Sequence, residues 1–502
     1  MLAKVRTFSL LGVEAREVDV EVDVAAGLPS FQIVGLPDAA VRESRERVRA
    51  AIQNSGFQFP QERITASLAP ADLRKAGPGF DLAIAAALLV ANEQLPPEAL
   101  AGCALAAELA LDGTVRAVPG SLAMAEQAAA TGVERIVVAS ESAYEASLPQ
   151  AINGAGPARV IPIDRLTDLA RINGEDEPAF AMAPVHLGAP DDAPGPDLAD
   201  LRGQPALREA LEVAAAGGHG MLILGPPGAG KSLAARRLPS IMPPLARDEA
   251  VDVLRIASAC GRAPAGTVQR PFRAPHHTVS PAGLVGGGNP PRAGEVTLAH
   301  RGVLFLDELG EFARNSLEAL RQPLEDGAVT ITRVRHSLSL PCRFLLVAAS
   351  NPCPCGHGEG TAQCRCAPGA ARRYRSRISG ALADRIDIAI SVEQPGPEAL
   401  AGEPGESSAA VRARVAAARE LAERRQGCPN AELSLAAARR HAKLTPEARA
   451  ELLQGHRRMG LSGRGHDRVL RVARTLADLR GSERTDADDI AGALAFRRRG
   501  AG

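Results

Sequence analysis

The sequence predicts a multidomain α/β protein: a mixed α/β domain, a P-loop domain built on a parallel sheet, and a helical region at the end. Three observations carry this expectation. A glycine-rich loop, Gly225 to Ser232, lies between the apolar run Met221–Leu224 and a helix-like stretch, Leu233–Leu238. From Leu201 to Val392, strand-like and helix-like stretches alternate. From Pro397 onward, long Ala/Arg/Leu/Glu stretches are broken at Gly427 to Pro429, Thr445-Pro446 and Gly460 to Gly465, as helices are.

At 502 residues the chain is too long for one ordinary core. Its 45% hydrophobic and 23% charged residues are those of a soluble globular protein. With no Trp and only 3% aromatics, the cores must be built from Ala, Leu, Val and Ile. The formal net charge is zero, so the overall balance argues neither for nor against nucleic acid. No segment approaches the roughly 20 apolar residues that span a bilayer. The first residues, Met1 to Phe8, lack the apolar region of a signal peptide, so no membrane partner and a cytoplasmic location are expected.

In the first domain (1–173), Val18 to Val24 alternates Val with acids as a half-buried strand does, and Arg135–Ala139 reads as a buried strand. Helical runs are Asp38 to Ser55 and Asp81 to Ala91. Residues 174–200 hold seven acids, five prolines and no Lys or Arg, which predicts a largely extended linker. The P-loop domain is expected over 201–395 and the helical domain over 396–502. The stretch Pro397–Gly502 carries 20 Lys and Arg against 14 Asp and Glu, an excess that a solvated surface explains as well as a DNA contact does.

Gly225, Pro226, Pro227, Gly228, Ala229, Gly230, Lys231 and Ser232 form G-x-x-x-x-G-K-S. The glycines let successive N–H groups point inward at phosphate oxygens. Lys231 can reach the β- and γ-phosphates, and the Ser232 hydroxyl can ligate Mg²⁺, which makes ATP with Mg²⁺ the expected ligand. Hydrolysis needs more. Val303–Leu306 is a fully apolar strand ending in Asp307 and Glu308, at the carboxyl end where ligands bind in open α/β sheets. Asp307 would orient the metal and Glu308 would polarise the attacking water. A second apolar strand, Phe344–Ala349, leads to Asn351, which can reach the γ-phosphate or that water.

These positions, with Arg385 in Ala381-Leu-Ala-Asp-Arg-Ile-Asp387, resemble the AAA+ ATPases. The resemblance makes Asn351 sensor 1 and Arg385 an arginine finger acting on a neighbouring subunit's nucleotide, hence a ring of identical chains. Extra positive charge at a developing phosphoryl transition state is the reason for such a finger. The stretch Leu461 to Arg471 looks like the sensor 2 region, with Arg464 and then Arg468 as candidates for the γ-phosphate contact.

Pro271 to Ser280 with Gly286-Gly-Gly288, Leu324 to Arg335, and Arg373 to Arg385 together resemble the YifB/ComM family of Mg-chelatase-like AAA+ proteins over nearly the full length. Leu73 to Asp81 is similar to the Lon-type domain of the ribosomal-S5-like fold. In active Lon-type proteases that turn carries a nucleophilic Ser and a later helix carries a Lys. Here the Ser position is Gly79, and Ser121 to Glu126 contains no Lys, so peptidase activity is not expected. The family resemblance implies a hexameric DNA helicase promoting branch migration in natural transformation or recombination. A chelatase-type ATPase remodelling a protein partner for metal insertion stands as the alternative, and a Lon-like protease is the third reading. Arg333, Arg335 and His336 on the expected hairpin before sensor 1, and Arg372, Arg373, Arg375 and Arg377 around Tyr374, are the candidate DNA contacts.

Four of the eight Cys fall within 353–366. Cys353, Cys355, Cys364 and Cys366, with His357 as a further candidate, supply the soft ligands of a structural Zn²⁺. Cys103, Cys260, Cys342 and Cys428 are scattered and are expected to be small core residues.

Overall fold

The computed structural model describes residues 1–153, 159–173, 176–180, 195–262, 267–288, 291–333, 336–358, 361, 363–376, 382 and 385–498. The expected linker therefore lies largely outside the described residues. The chain forms two compact units, one of Met1–Gly188 with Ala246–Val268 and the other of Ala189–Leu245 with Gln269–Gly502.

The first unit is built on a seven-stranded mixed sheet. Its strands are β1 (Leu2–Leu11), β2 (Glu14–Ala25), β3 (Ser30–Val34), β4 (Arg63–Ala69), β5 (Cys103–Ala106), β8 (Arg135–Ala139) and β9 (Arg159–Ile163), in the order β3-β4-β2-β1-β5-β8-β9. A short hairpin, β6 (Glu108–Leu109) with β7 (Val115–Arg116), lies between β5 and β8 in sequence. β1 and β2 run antiparallel from Leu2↔Asp23 to Leu11↔Glu14. The alternation in β2 does what its period predicts: Val18, Val20 and Val22 are fully buried, while Asp23 is exposed.

Helix α1 (Ala39–Asn54) starts where the Asp38 carboxylate accepts the Val41 N–H at 2.9 Å. Helix α2 (Asp81–Ala91) is buried along its whole length, which its Ala-rich sequence allows. Helices α3 (Ser121–Ala130) and α4 (Ser140–Asn153) complete this part of the unit.

Residues 246–268, inside the span expected for the P-loop domain, leave that chain segment and pack on the first unit. In the last turn of their helix, Arg247–Ala259, the Ser258 carbonyl accepts the Gly120 N–H at 3.0 Å and its hydroxyl donates to the Glu145 carboxylate. Arg255 makes a two-pronged ion pair with Glu126, at 2.7 and 3.0 Å.

The second unit has a five-stranded parallel sheet: β10 (Met221–Leu224), β11 (Phe272–Arg273), β14 (Val303–Leu306), β17 (Leu345–Ser350) and β18 (Ile388–Ser391), ordered β11-β14-β17-β10-β18. Two antiparallel hairpins rise from it in sequence, β12 (Gly286–Gly287) with β13 (Arg292–Ala293), and β15 (Ala328–Arg333) with β16 (His336–Pro341). The helices Ser408–Gln426, Pro446–Met459, Gly463–Leu479 and Ala487–Arg498 make up the helical C-terminal region, where the lid is expected. A single apolar cluster joins the sheet (Ile223, Val347, Ile390) to lid residues Val415, Leu452, Leu470 and Phe496. No helix among the described residues is long and apolar enough to cross a membrane.

Candidate active site

The parallel sheet brings the predicted nucleotide residues to one edge. β10 is flanked by β17 and β18, and β17 pairs with β14, so Gly225, Asp307 and Asn351 all follow the carboxyl ends of adjoining strands. Gly228 and Gly230 have φ of +80° and +82°, which curls the loop and starts the helix Lys231–Ile241. That helix points its N-terminal N–H groups and the positive end of its dipole at the loop.

Lys231 is 8% exposed, and its Nζ donates to Gly225 O at 2.6 Å, Pro226 O at 2.9 Å and Asn351 Oδ1 at 3.0 Å. Burial lowers its pKa, opposed by the Asp307 and Glu308 charges. The Ser232 hydroxyl donates to Asp307 Oδ2 at 2.6 Å, so the two expected Mg²⁺ ligands already touch. These hard oxygen donors beside a phosphate loop are the chemistry Mg²⁺ requires. Glu308 follows in a left-handed conformation (φ +52°), with its N–H donating to Asp307 Oδ1 at 2.9 Å.

The three arginines lie elsewhere. The Arg385 carbonyl lies against Gly220, at the amino end of β10, whereas the P-loop begins at its carboxyl end. The four strand residues Met221–Leu224 separate the two, about 15 Å. Arg385 instead pairs with Glu325, whose carboxyl is held low first by Arg385 and further by Arg321 and Arg464. Arg464 is exposed. Arg468 is 6% exposed, and its Nη1 donates to Ile386 O at 3.2 Å, again at the amino end of β18. The structure thus does not bring Arg468 to its own phosphate loop.

The four predicted thiols converge: Sγ atoms of Cys353, Cys355, Cys364 and Cys366 all lie within 4.8 Å of one another. Observed separations of 3.3, 3.7 and 4.0 Å bracket the ~3.8 Å edge of a tetrahedral ZnS₄ site. Main-chain N–H groups of His357 and Arg365 hold the Cys355 thiol down, to about 6. The His357 side chain is exposed and stands outside the cluster, so the donor set is complete without it. Gly356, inside the cluster, abuts the phosphate loop: a Cβ there would come 2.7 Å from Pro227 Cδ.

Comparison with known proteins follows this layout. Family models match in succession: Subunit ChlI of Mg-chelatase over residues 20–142; Magnesium chelatase, subunit ChlI, over 197–400; and Magnesium chelatase, subunit ChlI C-terminal, over 405–497. YifB of Escherichia coli K12 is 42% identical over 504 residues, covering 99% of this chain and 97% of its own. Rv2897c of Mycobacterium tuberculosis H37Rv is 42% identical over 506 residues, 99% of each chain. ComM of Haemophilus influenzae Rd is 40% identical over 502 residues, 99% of this chain and 97% of its own. The chain belongs to the Mg-chelatase-like YifB/ComM family of AAA+ ATPases.

Within this YifB/ComM-type framework, several expected residues take other places. Tyr374 is not a surface for stacking bases: it is 3% exposed, and its ring fills the space that the missing side chain of Gly310 leaves. Arg372 and Arg373 are exposed. Arg335 and Arg377 lie outside the described residues, as do the side chains of Arg333, Arg375 and His336. Cys103 and Cys342 are buried, their thiols pushed up by burial to about 11 and about 12, but Cys260 and Cys428 are only half-buried.

At the turn of Gly79, a Cβ would meet Val118 at an ordinary 3.7 Å, so a Ser would fit sterically. Ser121 is fully buried with its hydroxyl donating to Val118 O at 3.0 Å, which leaves it no role as a nucleophile. Two contacts escaped sequence reasoning. Gln394 Nε2 donates to Pro227 O at 2.6 Å, and His277 Nδ1 lies 3.4 Å from Glu308 Oε2. The second involves His277, one of the paired histidines within Pro271 to Ser280, which lies 31 positions from Glu308 in the sequence.

Proposed function

We propose that the protein is an ATP-hydrolysing ring motor that acts on DNA. The observation that carries the ATPase reading is the convergence of Lys231, Ser232, Asp307, Glu308 and Asn351 at one edge of the parallel sheet. In this reading the loop N–H groups and Lys231 bind the phosphates, Ser232 and Asp307 hold Mg²⁺, and Asn351 moves from Lys231 to the γ-phosphate. Mg²⁺ held there would supply positive charge to neutralise the phosphates. Glu308 accepts the proton of the attacking water.

Arg385 and Arg464, gathered around Glu325, serve a neighbour's nucleotide. A site completed in this way requires a ring, and six subunits is the size the family resemblance suggests. Four thiolates holding Zn²⁺ beside Pro227 and Asn351 brace the loop from outside.

DNA as the load rests on kinship: the Haemophilus influenzae relative is named a competence protein. Within that reading, the β15–β16 hairpin with Arg333 and Arg335, and Arg373 and Arg375, are the candidate contacts. The helicase step would be branch migration in recombination or transformation. The chelatase family models favour a second reading, in which ATP turnover remodels a protein partner.

The two readings separate in one assay: ATP turnover with and without single-stranded, forked or four-way DNA, alongside mass measurement with ATP. Stimulation by DNA and a ring-sized mass support the motor. Turnover indifferent to every DNA, with no gel shift, moves the protein to the remodelling class.

A further inference from the structure

Helix α1 of the first unit carries four arginines, and the fold neutralises only one of them. Arg47 turns inward, its Nε donating to Asp81 Oδ2 at 2.6 Å and its Nη2 to Ser44 Oγ at 3.0 Å. Arg42, Arg45 and Arg49 are exposed, and none of the three pairs with a carboxylate among the described residues. Their spacing of three and four puts them on one stripe of the helix, about 10 Å long at 1.5 Å per residue. Of the helix's two acids, Glu43 leans to Arg47 at 4.0 Å and Glu46 borders the stripe, so the positive charge is in excess.

Beside this stripe stand two aromatic rings. The Arg49 guanidinium lies over the Phe59 ring, 5.5 Å from its centroid, and Phe59 is 6.0 Å from Phe31 on β3. Arg45 Nη1 donates to the Phe31 carbonyl at 3.4 Å, which ties the helix to that strand. The loop that carries Phe59 is pinned as well, because the Gln94 side chain accepts the Gln58 N–H and donates to the Gln58 carbonyl, both at 2.7 Å. Both rings pack on the core of the unit yet keep part of their surface in solvent. β3 is the edge strand of its sheet, and Leu28 and Leu36 beyond its two ends are 89% and 48% exposed. A second copy pairing along this edge would bring two arginine stripes together, a like-charge cost that guards the edge. A polyanion with flat apolar bases meets the opposite balance: its phosphates suit the stripe and its bases suit the rings.

We infer that Arg42, Arg45 and Arg49, with Phe31 and Phe59, form a binding surface for single-stranded DNA on the first unit. The inference rests on the reading of the protein as a DNA motor and gives that motor a contact outside its ATPase unit. Phosphates pair with the arginine stripe and bases stack on the two rings, so the surface grips a strand without reading its sequence.

The test titrates the full-length protein against a fluorescein-labelled oligothymidylate, read by anisotropy over a range of salt concentrations. The triple variant Arg42→Gln, Arg45→Gln, Arg49→Gln should weaken binding and flatten the slope of log K against log salt by about 2, at roughly 0.7 per charge lost. Phe59→Leu, which keeps the apolar packing but removes the ring, should weaken binding about fivefold with the slope unchanged. Thermal melting checks that each variant is folded. Illumination of the unaltered protein with an oligonucleotide carrying 5-iododeoxyuridine should give adducts on Phe31 or Phe59 by peptide mass mapping, which decides the matter if a variant does not fold. A full salt slope in the triple variant, or adducts that avoid both rings, overturns the inference while the motor reading stands. An unaltered protein that binds no DNA and whose ATP turnover no DNA stimulates overturns the motor reading, and this inference with it.

Discussion

Replacing His219 with Ala tests what holds the lid to the sheet. His219 lies between the helix Pro205–Gly217 and β10 and is fully buried. Its Nδ1 is 2.8 Å from Asp387 Oδ2 and its Nε2 is 2.8 Å from Thr475 Oγ1, on the lid helix Gly463–Leu479. Thr475 has other partners, accepting from Asn430 Nδ2 at 3.0 Å and donating to Arg471 O at 3.1 Å. Asp387, 6% exposed, relies on His219 as the side-chain partner of its carboxylate among the described residues. Removing the partner of a buried carboxylate costs about 3–5 kcal/mol.

For a unit of this size that corresponds to a fall in melting temperature of about 6–10 °C, at roughly 2 °C per kcal/mol. Calorimetry should show the fall in the transition of the second unit alone, since the two units need not melt together. Adding Asp387→Leu to His219→Ala should recover part of the loss, because the stranded charge is then gone. A fall below about 2 °C, or losses in the double variant that simply add, would refute the assignment of the stabilisation to this pair.

Other expectations follow from the site and from the first unit. If Arg385 serves a neighbour, Lys231→Ala and Arg385→Ala proteins should each be inactive in ATP turnover, yet regain activity when mixed; no recovery in mixed rings places the finger in its own subunit. Cys355→Ser with Cys364→Ser should abolish bound zinc measured by atomic emission, and weaken binding of a fluorescent ATP analogue, because Gly356 abuts Pro227. Zinc absent from the unaltered protein removes that claim.

Glu145 has a pKa raised by burial, with the Ser258 hydroxyl lowering it in part. A folded-state pKa above the unfolded one gives stability that is present below the unfolded value and lost as pH rises through the folded one. Glu145→Gln should therefore raise the melting temperature of the first unit at pH 7 and give no gain at pH 4; an equal effect at both pH values contradicts the sign.

Much of the phosphate-binding half of the site was legible because its parts are local. A loop of eight residues between a strand and a helix contains its own geometry, and Asp307 and Asn351 are each marked by the apolar strand they terminate. Parallel pairing of β14, β17 and β10 then brings three separate strand ends together without further information. The cysteine centre was legible for the same reason, since its four ligands fall within one short segment. Here a local list was too generous: His357 has the right chemistry, but the chain turns it to solvent.

What escaped the sequence depends on contacts between distant segments. Tyr374 looked exposed beside its arginines, yet the missing side chain of Gly310, 64 positions earlier, makes room for it. Helix 247–259 has the pattern of any amphipathic helix, and nothing in that pattern says which of two units it covers. Arg468 and Arg464 are one helical turn apart, a spacing that says nothing of which will be buried against Ile386 and which exposed near Glu325. The same limit explains His277: its partner Glu308 is 31 positions away and becomes a neighbour only because β11 lies beside β14. Motifs identified the groups able to bind phosphate, whereas strand order and lid packing decide which charges face that phosphate and which are left for a second subunit.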